Sequence, residues 1–224
     1  MMNGCLENET YKERFFREKL IAILRGTEQE QLPGIISALK KGGISLVEIP
    51  FDQTRPPEHT TEKIKMVLTY FSRESVLCGA GTVLSPEQVQ AAYDAGSSFI
   101  ITPSAKQEVI RRGKELGLFV MAGAMSPTEI ENAYEWGADI VKVFPADVLG
   151  VSYIKALKGP FPYIPLAAVG GVDLDNICQF CDAGISMFGI GGNLVRKDMI
   201  CRGCYDGIAE LAGKYVERIR AYCK

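Results

Sequence analysis

One unit recurs along the chain and restricts what it can fold into: an amphipathic run, then a glycine, then a short apolar segment rich in branched residues. It occurs at Gly42-Gly43 before Ile44–Val47, Gly96 before Phe99–Ile101, Gly117 before Leu118–Val120, Gly137 before Asp139–Val141, and Gly184 before Ile185–Phe188. Glycine just past a helix end accepts the left-handed backbone that stops the helix. A short unbroken apolar run between such stops reads as a strand covered on both faces. The strands expected on this basis are Leu20–Leu24, Leu46–Phe51, Val76–Gly81, Phe99–Pro103, Phe119–Gly123, Ile140–Phe144, Leu166–Gly171 and Met187–Gly192. Helices are expected near 29–41, 57–72, 86–95, 105–116, 127–136, 150–158, 173–183 and 205–222, two of them opened by Ser85-Pro86 and Ser126-Pro127. Eight strands alternating with eight helices count out an α/β fold, a single (β/α)8 TIM barrel. A doubly wound open sheet is the alternative, but it carries fewer strands and one dominant glycine-rich turn. The segment Glu9–Glu18 is expected to add an N-terminal helix that closes the barrel's bottom. With no linker or composition shift, 1–224 reads as one domain: a lead over 1–19, a barrel core over 20–195 and a last helix over 205–224.

Bulk properties exclude several classes. The chain is 47% hydrophobic and 23% charged, as globular proteins are, and a net charge of −2 argues against coating nucleic acid, which needs a basic face. No apolar stretch approaches the roughly 20 residues of a membrane span, and Met1–Lys19 is polar rather than a secretory leader. A soluble, cytoplasmic protein is expected, with no membrane and no nucleic-acid partner. Seven cysteines, an odd number scattered over a large core, favour reduced thiols over a disulfide framework. Cys178-x-x-Cys181 and Cys201-x-x-Cys204 have zinc-ribbon spacing, but the first pair lies in a helical pattern, so buried or incidental thiols and no metal are expected.

The chemistry collects at a few interrupted strands. Ile140-Val141-Lys142-Val143-Phe144-Pro145 is an apolar run with a lysine at its centre. Taken alone, Lys142 is a side chain that snorkels to solvent. In a closed barrel there is no sheet edge to receive it, and a buried amine is pushed toward the neutral form, which is nucleophilic toward carbonyls. Leu46–Phe51 carries one ionisable interruption in the same way, Glu48. The pair reads either as a structural ion pair or as a nucleophile with a carboxyl that shuttles protons. In such barrels the site lies at the carboxyl ends of the strands. Those ends carry Arg25, Thr82, Thr102-Pro103, Gly170-Gly171 and Gly191-Gly192-Asn193, the glycine pairs following strands 7 and 8, where many barrels hold a phosphate. Gly79-Ala80-Gly81-Thr82 lacks the third glycine and the acidic residue of a dinucleotide fingerprint, so NAD is discounted. His59 reads as a solvated helix residue.

Leu20–Gly26, Val47–Pro50, Gly79–Leu84, Val141–Pro145 and Ala168–Val172, in this order and spacing over about residues 19–195, resemble the KDPG/KHG aldolase family. These are class I pyruvate aldolases acting on 2-keto-3-deoxy-6-phosphogluconate and 4-hydroxy-2-oxoglutarate. Arg25-Gly26, Glu48-Ile49-Pro50 and Tyr153–Lys158 resemble the branch acting on the galactonate epimer. The resemblance implies that Lys142 forms the Schiff base and Glu48 transfers protons. It puts Thr82 and Pro103 on the pyruvate end of the pocket, and Gly170, Gly171, Gly191, Gly192 and Asn193 at the phosphate loops, the last where serine is common. Where the gluconate branch has a carboxylate-binding arginine this chain has Asp52, which passes that role to Arg25. The partner implied is a small keto acid carrying a phosphate; a homotrimer and no cofactor are also implied. Two other readings predict different behaviour: an isomerase or epimerase using carboxylates or a metal in place of Lys142, and a non-catalytic keto-acid sensor.

Overall fold

The computed structural model describes residues 11–223. Eight parallel strands close into one barrel in sequence order: β1 Leu20–Ile23, β2 Leu46–Pro50, β3 Leu77–Gly81, β4 Phe99–Ile101, β5 Phe119–Ala124, β6 Ile140–Val143, β7 Leu166–Val169 and β8 Met187–Ile190. A helix α1, Tyr11–Glu18, precedes them, and each strand is followed by at least one helix: α2 Leu32–Lys41, α3 Glu58–Tyr70, α4 Pro86–Asp94, α5 Gln107–Glu115, α6 Pro127–Glu135, α7 Ala146–Lys158, α8 Ile177–Asp182, then α9 Lys197–Cys201 and α10 Tyr205–Tyr222. The expected lead helix is present over its described part; residues 9 and 10 lie outside the described residues.

The local signals act as expected. Gly43, Gly96, Gly117, Gly137 and Gly184, the glycine stops before β2, β4, β5, β6 and β8, all have φ between 91 and 102° or, for Gly117, 73°. Ser126 accepts from the Glu129 N–H while the Glu129 carboxylate accepts from Ser126, a reciprocal cap behind Pro127. Three features were not expected. Helix α9 is a single short turn inside the loop after β8. Helix α7 starts four residues early, because Ala146–Leu149 make a turn directly after β6 before Gly150, at φ 77°, breaks the helical path. Cys181 on α8 is disulfide-bonded to Cys223 beyond α10, correcting the expectation of reduced thiols. The two are 42 residues apart, and only the packing of α10 on α8 brings their Cα atoms to 5.2 Å, so spacing along the chain carries no trace of the pair. Among the described residues no cluster of three or more His, Cys, Asp or Glu side chains is placed to hold a metal, and no helix is long and apolar enough to cross a membrane.

Strand alternation sorts the core into two shells. Ala22, Val47, Cys78, Ile100, Val120, Val141 and Ala168 face the helices. Ile21, Ile23, Leu46, Leu77, Phe99, Ile101, Phe119, Met121, Ile140, Ala167, Val169 and Met187 fill the lumen. The amino-terminal end of the lumen is plugged by Phe15 of α1, fully buried, stacked on Phe119 at 4.0 Å between ring centres and edge-on to Phe99 at 5.0 Å. Arg14 fixes the plug by donating to the carbonyls of Arg73 and Glu74, each at 3.0 Å. The barrel is therefore shut and apolar at one end, and polar groups in the lumen can open only to the other. Phe15→Ala is expected to cost about 3–5 kcal/mol of unfolding free energy in a urea titration, and a loss below about 1 kcal/mol would show that α1 does not close the core.

Candidate active site

Lys142 and Glu48 continue the lumen alternation. Glu48 lies in register between Ile23 and Gly79, and Lys142 between Gly123 and Ala167. Both are therefore directed into the barrel, where Glu48 keeps 3% of its surface exposed and Lys142 keeps 7%. Small neighbours make the room. A methyl group at Gly81 would fall on the Glu48 carboxylate, and one at Gly123 would strike the Thr102-Pro103 backbone. The alternation of large lumen residues below and glycine or alanine above thus leaves space for two long ionisable side chains near the carboxyl ends of the strands.

No ion pair within 4.0 Å joins the two, so each titrates mainly against its burial. Burial lowers the Lys142 amine from its ordinary 10.5 to about 8, the Glu48 carboxylate opposing this shift and Arg25 reinforcing it. Burial raises Glu48 from 4.5 to about 7, opposed by Lys142 and Arg25. The Lys142 Nζ lies over the Phe144 ring, 4.5 Å from its centre. An amine with a neutral fraction near physiological pH and a carboxyl that changes protonation in the same range make a nucleophile and a proton shuttle.

Two cavities open at the carboxyl ends of the strands, and Arg25 lines both. The larger, about 410 Å³, is bounded by the loops after β1 and β2, the start of α3 and Thr82. The smaller, about 280 Å³, runs from Phe144 to Gly170, Gly171, Gly191, Gly192 and Asn193. Of the residues singled out in the sequence, Arg25 and Thr82 line the larger cavity, and Arg25, Gly170, Gly171, Gly191, Gly192 and Asn193 line the smaller; Lys142, Glu48 and Pro103, two residues past β4, line neither. The N–H groups of Gly171, Gly192 and Asn193 have no partner among the described residues, which is the donor set an anion requires. The Asn193 side chain is committed elsewhere: its amide donates to the Val172 carbonyl at 2.9 Å and ties the β8 loop to the β7 loop. Thr82 has φ 53°, an unusual conformation for a branched residue, and Gln53 of the β2 loop holds it by donating to its carbonyl at 2.9 Å.

The KDPG and KHG aldolase family model matches residues 12–211. The chain belongs to this family. It is 39% identical over 178 residues to the 2-dehydro-3-deoxy-6-phosphogalactonate aldolase of Escherichia coli strain K12, covering 79% of this chain and 84% of that one. It is 30% identical over 204 residues to the 2-dehydro-3-deoxy-phosphogluconate aldolase of Haemophilus influenzae, covering 90% and 93%. Among solved structures, native KDPGal superposes with a TM-score of 0.80 at 37% identity over 91% of this chain and 95% of that one. The KDPG aldolase of Legionella pneumophila, captured with pyruvate as a covalent carbinolamine, superposes with a TM-score of 0.81 at 25% identity over 92% and 97%. The aldolase is a carbon–carbon lyase of the class I, imine-forming kind.

Several contributors were not singled out in the sequence. Phe144 is in the lysine's own strand run, and its place over the amine could have been read from the two-residue spacing that puts both on one face. Gln53 and Arg55 sit in a polar loop whose direction no periodicity reveals. His59, expected on a solvated face, is half-buried and lines the larger cavity. The electrostatics predict opposite effects from two substitutions on the pH midpoint of pyruvate-dependent borohydride trapping. Glu48→Gln removes a charge that favours the ammonium and moves the midpoint down; Arg25→Gln removes one that disfavours it and moves the midpoint up. Shifts in the same direction would contradict the assigned causes.

Proposed function

We propose that Lys142 is the imine-forming amine of this aldolase and that its substrate is 2-keto-3-deoxy-6-phosphogalactonate, the same compound as 2-dehydro-3-deoxy-6-phosphogalactonate. The observation that carries the reading is the burial of Lys142 in the lumen with Glu48, at the end where the glycine loops of β7 and β8 open. The neutral amine attacks the C2 carbonyl; proton transfers and loss of water give an iminium ion. That cation accepts the electron pair of the C3–C4 bond as Glu48, through a water molecule, takes the C4 hydroxyl proton. Glyceraldehyde 3-phosphate leaves, and the enamine is protonated at C3 and hydrolysed to pyruvate, restoring the amine. Arg25 and Thr82 hold the carboxylate, and the unpartnered N–H groups of Gly171, Gly192 and Asn193 hold the phosphate. The galactonate epimer is favoured by the 39% identity to the Escherichia coli enzyme that bears its name. The gluconate epimer, giving the same products, and 4-hydroxy-2-oxoglutarate, giving pyruvate and glyoxylate, are the competing substrates. A homotrimer is part of this reading, supported by apolar surface on the loop after β5 and on α7, where Met125 is 53% and Val148 75% exposed and Tyr153 bonds the Met125 carbonyl.

A lactate-dehydrogenase-coupled assay across the three keto acids is expected to show the highest kcat/KM on the galactonate epimer, and Lys142→Ala is expected to lower it by at least about 10³-fold. Mass spectrometry after borohydride reduction with pyruvate should find the adduct on Lys142; an unmodified Lys142 sinks the imine assignment, and a preference for the gluconate epimer sinks the substrate assignment. Light scattering should give the mass of three chains, against the mass of one if the exposed Val148 and Met125 are not an interface.

A further inference from the structure

A phosphorylated keto acid is anionic at both ends, and the mouth offers two cavities that share Arg25. The glycine loops account for the smaller one. The larger one contains a second guanidinium, Arg55, whose side chain makes no hydrogen bond or ion pair with any described residue. The geometry of its loop explains how it is presented. The Asp52 carboxylate accepts from the Thr54 N–H at 2.9 Å and the Thr54 hydroxyl at 2.7 Å, and the Arg55 N–H closes the turn on the Asp52 carbonyl at 3.0 Å. Gln53, inside this turn, is bonded to the Thr82 carbonyl, and Gln88 braces it by donating to the Gln53 side-chain oxygen at 2.9 Å while accepting from the Leu84 N–H at 2.7 Å. Pro56 and Pro57 stiffen the exit into α3. The loop is therefore stitched at a fixed distance from Thr82, and Arg55 is carried on it.

We propose that Arg55 binds the substrate carboxylate in the larger cavity together with Arg25, and that Asp52 serves to fold the loop that displays it. This rests on the aldolase reading above and adds the residue that recognises the keto acid's first carbon. Asp52, at the position where the gluconate branch carries an arginine, remains an anion, its carboxyl held below the ordinary value by the Thr54 hydrogen bonds that fold the loop. Lys63, the third cation of the wall, adds its charge while its ammonium donates to the Thr27 carbonyl at 2.7 Å. Arg25, Arg55 and Lys63 face Glu28 and Asp52 across the lining, so the cavity keeps a net positive wall. A planar guanidinium pairs a carboxylate through two parallel bonds, which a lysine cannot reproduce. Arg25, common to both cavities, bridges the two ends of the substrate, whereas Arg55 reaches only the carboxylate end.

The pyruvate half-reaction isolates this end, because the enamine exchanges the pyruvate methyl protons with deuterium and no phosphate takes part. Arg55→Ala is expected to raise half-saturating pyruvate by roughly 10- to 100-fold while the saturated exchange rate stays within about threefold. Arg55→Lys recovers part of the loss, and Thr54→Val, which frees Asp52, shifts half-saturation in the same direction by less. In the synthetic direction at saturating pyruvate, the dependence on glyceraldehyde 3-phosphate is unchanged in Arg55→Ala. Unchanged pyruvate half-saturation in Arg55→Ala, or a defect confined to the phosphorylated aldehyde, overturns the assignment. A wild-type enzyme that exchanges no pyruvate protons overturns instead the aldolase reading of the site.

Discussion

The structure depends on one constraint: a lysine and a glutamate share the upper lumen of a closed barrel without touching. Because the sheet has no edge and the bottom is sealed by Phe15, neither group can escape to solvent except through the mouth. Each resists its charged form for want of water, and each partly restores it for the other. The arrangement opposes folding near neutrality. Lys142, lowered to about 8, contributes stability that rises with pH between about 8 and 10.5, where only the unfolded chain holds the proton. Glu48, raised to about 7, makes stability fall as pH rises from 4.5 toward about 7, where only the folded chain holds it. The apolar shells and helix caps offset this, and the result is an amine with a neutral fraction at a pH where a surface lysine stays charged.

Glycine and alanine in the upper lumen leave room for the two side chains, the loops of β7 and β8 present backbone donors, and the loop of β2 is tied to a strained Thr82. On the proposed assignment, rigid strand ends carry the reacting groups and the stitched loops carry those that bind the two anionic ends. The proposed amine and anion sites come from different strands and share one end of the barrel because every βα loop leaves it there.

The barrel was legible because its signals are local. Each glycine stop, each Ser-Pro cap and each apolar run states its element within a few residues, and counting the elements gives the closure. Lys142 and Glu48 were legible for a related reason, since an ionisable residue inside an apolar run is conspicuous wherever the sheet has no edge. The rest depended on contacts between distant segments. The Cys181–Cys223 bond needs α8 and α10 in place, Arg55 faces a cavity only because Asp52 and Gln53 fold its loop, and the Asn193 amide is taken by Val172 across two loops. Period and spacing do not encode such pairings.

The central claim is that burial, moderated by Glu48, sets the Lys142 amine. Heteronuclear NMR of the lysine side chains, with the Lys142 resonance assigned by its loss in Lys142→Ala, measures that ionisation directly. The account predicts a midpoint at about 8, while titration at the ordinary lysine value of 10.5 would contradict it.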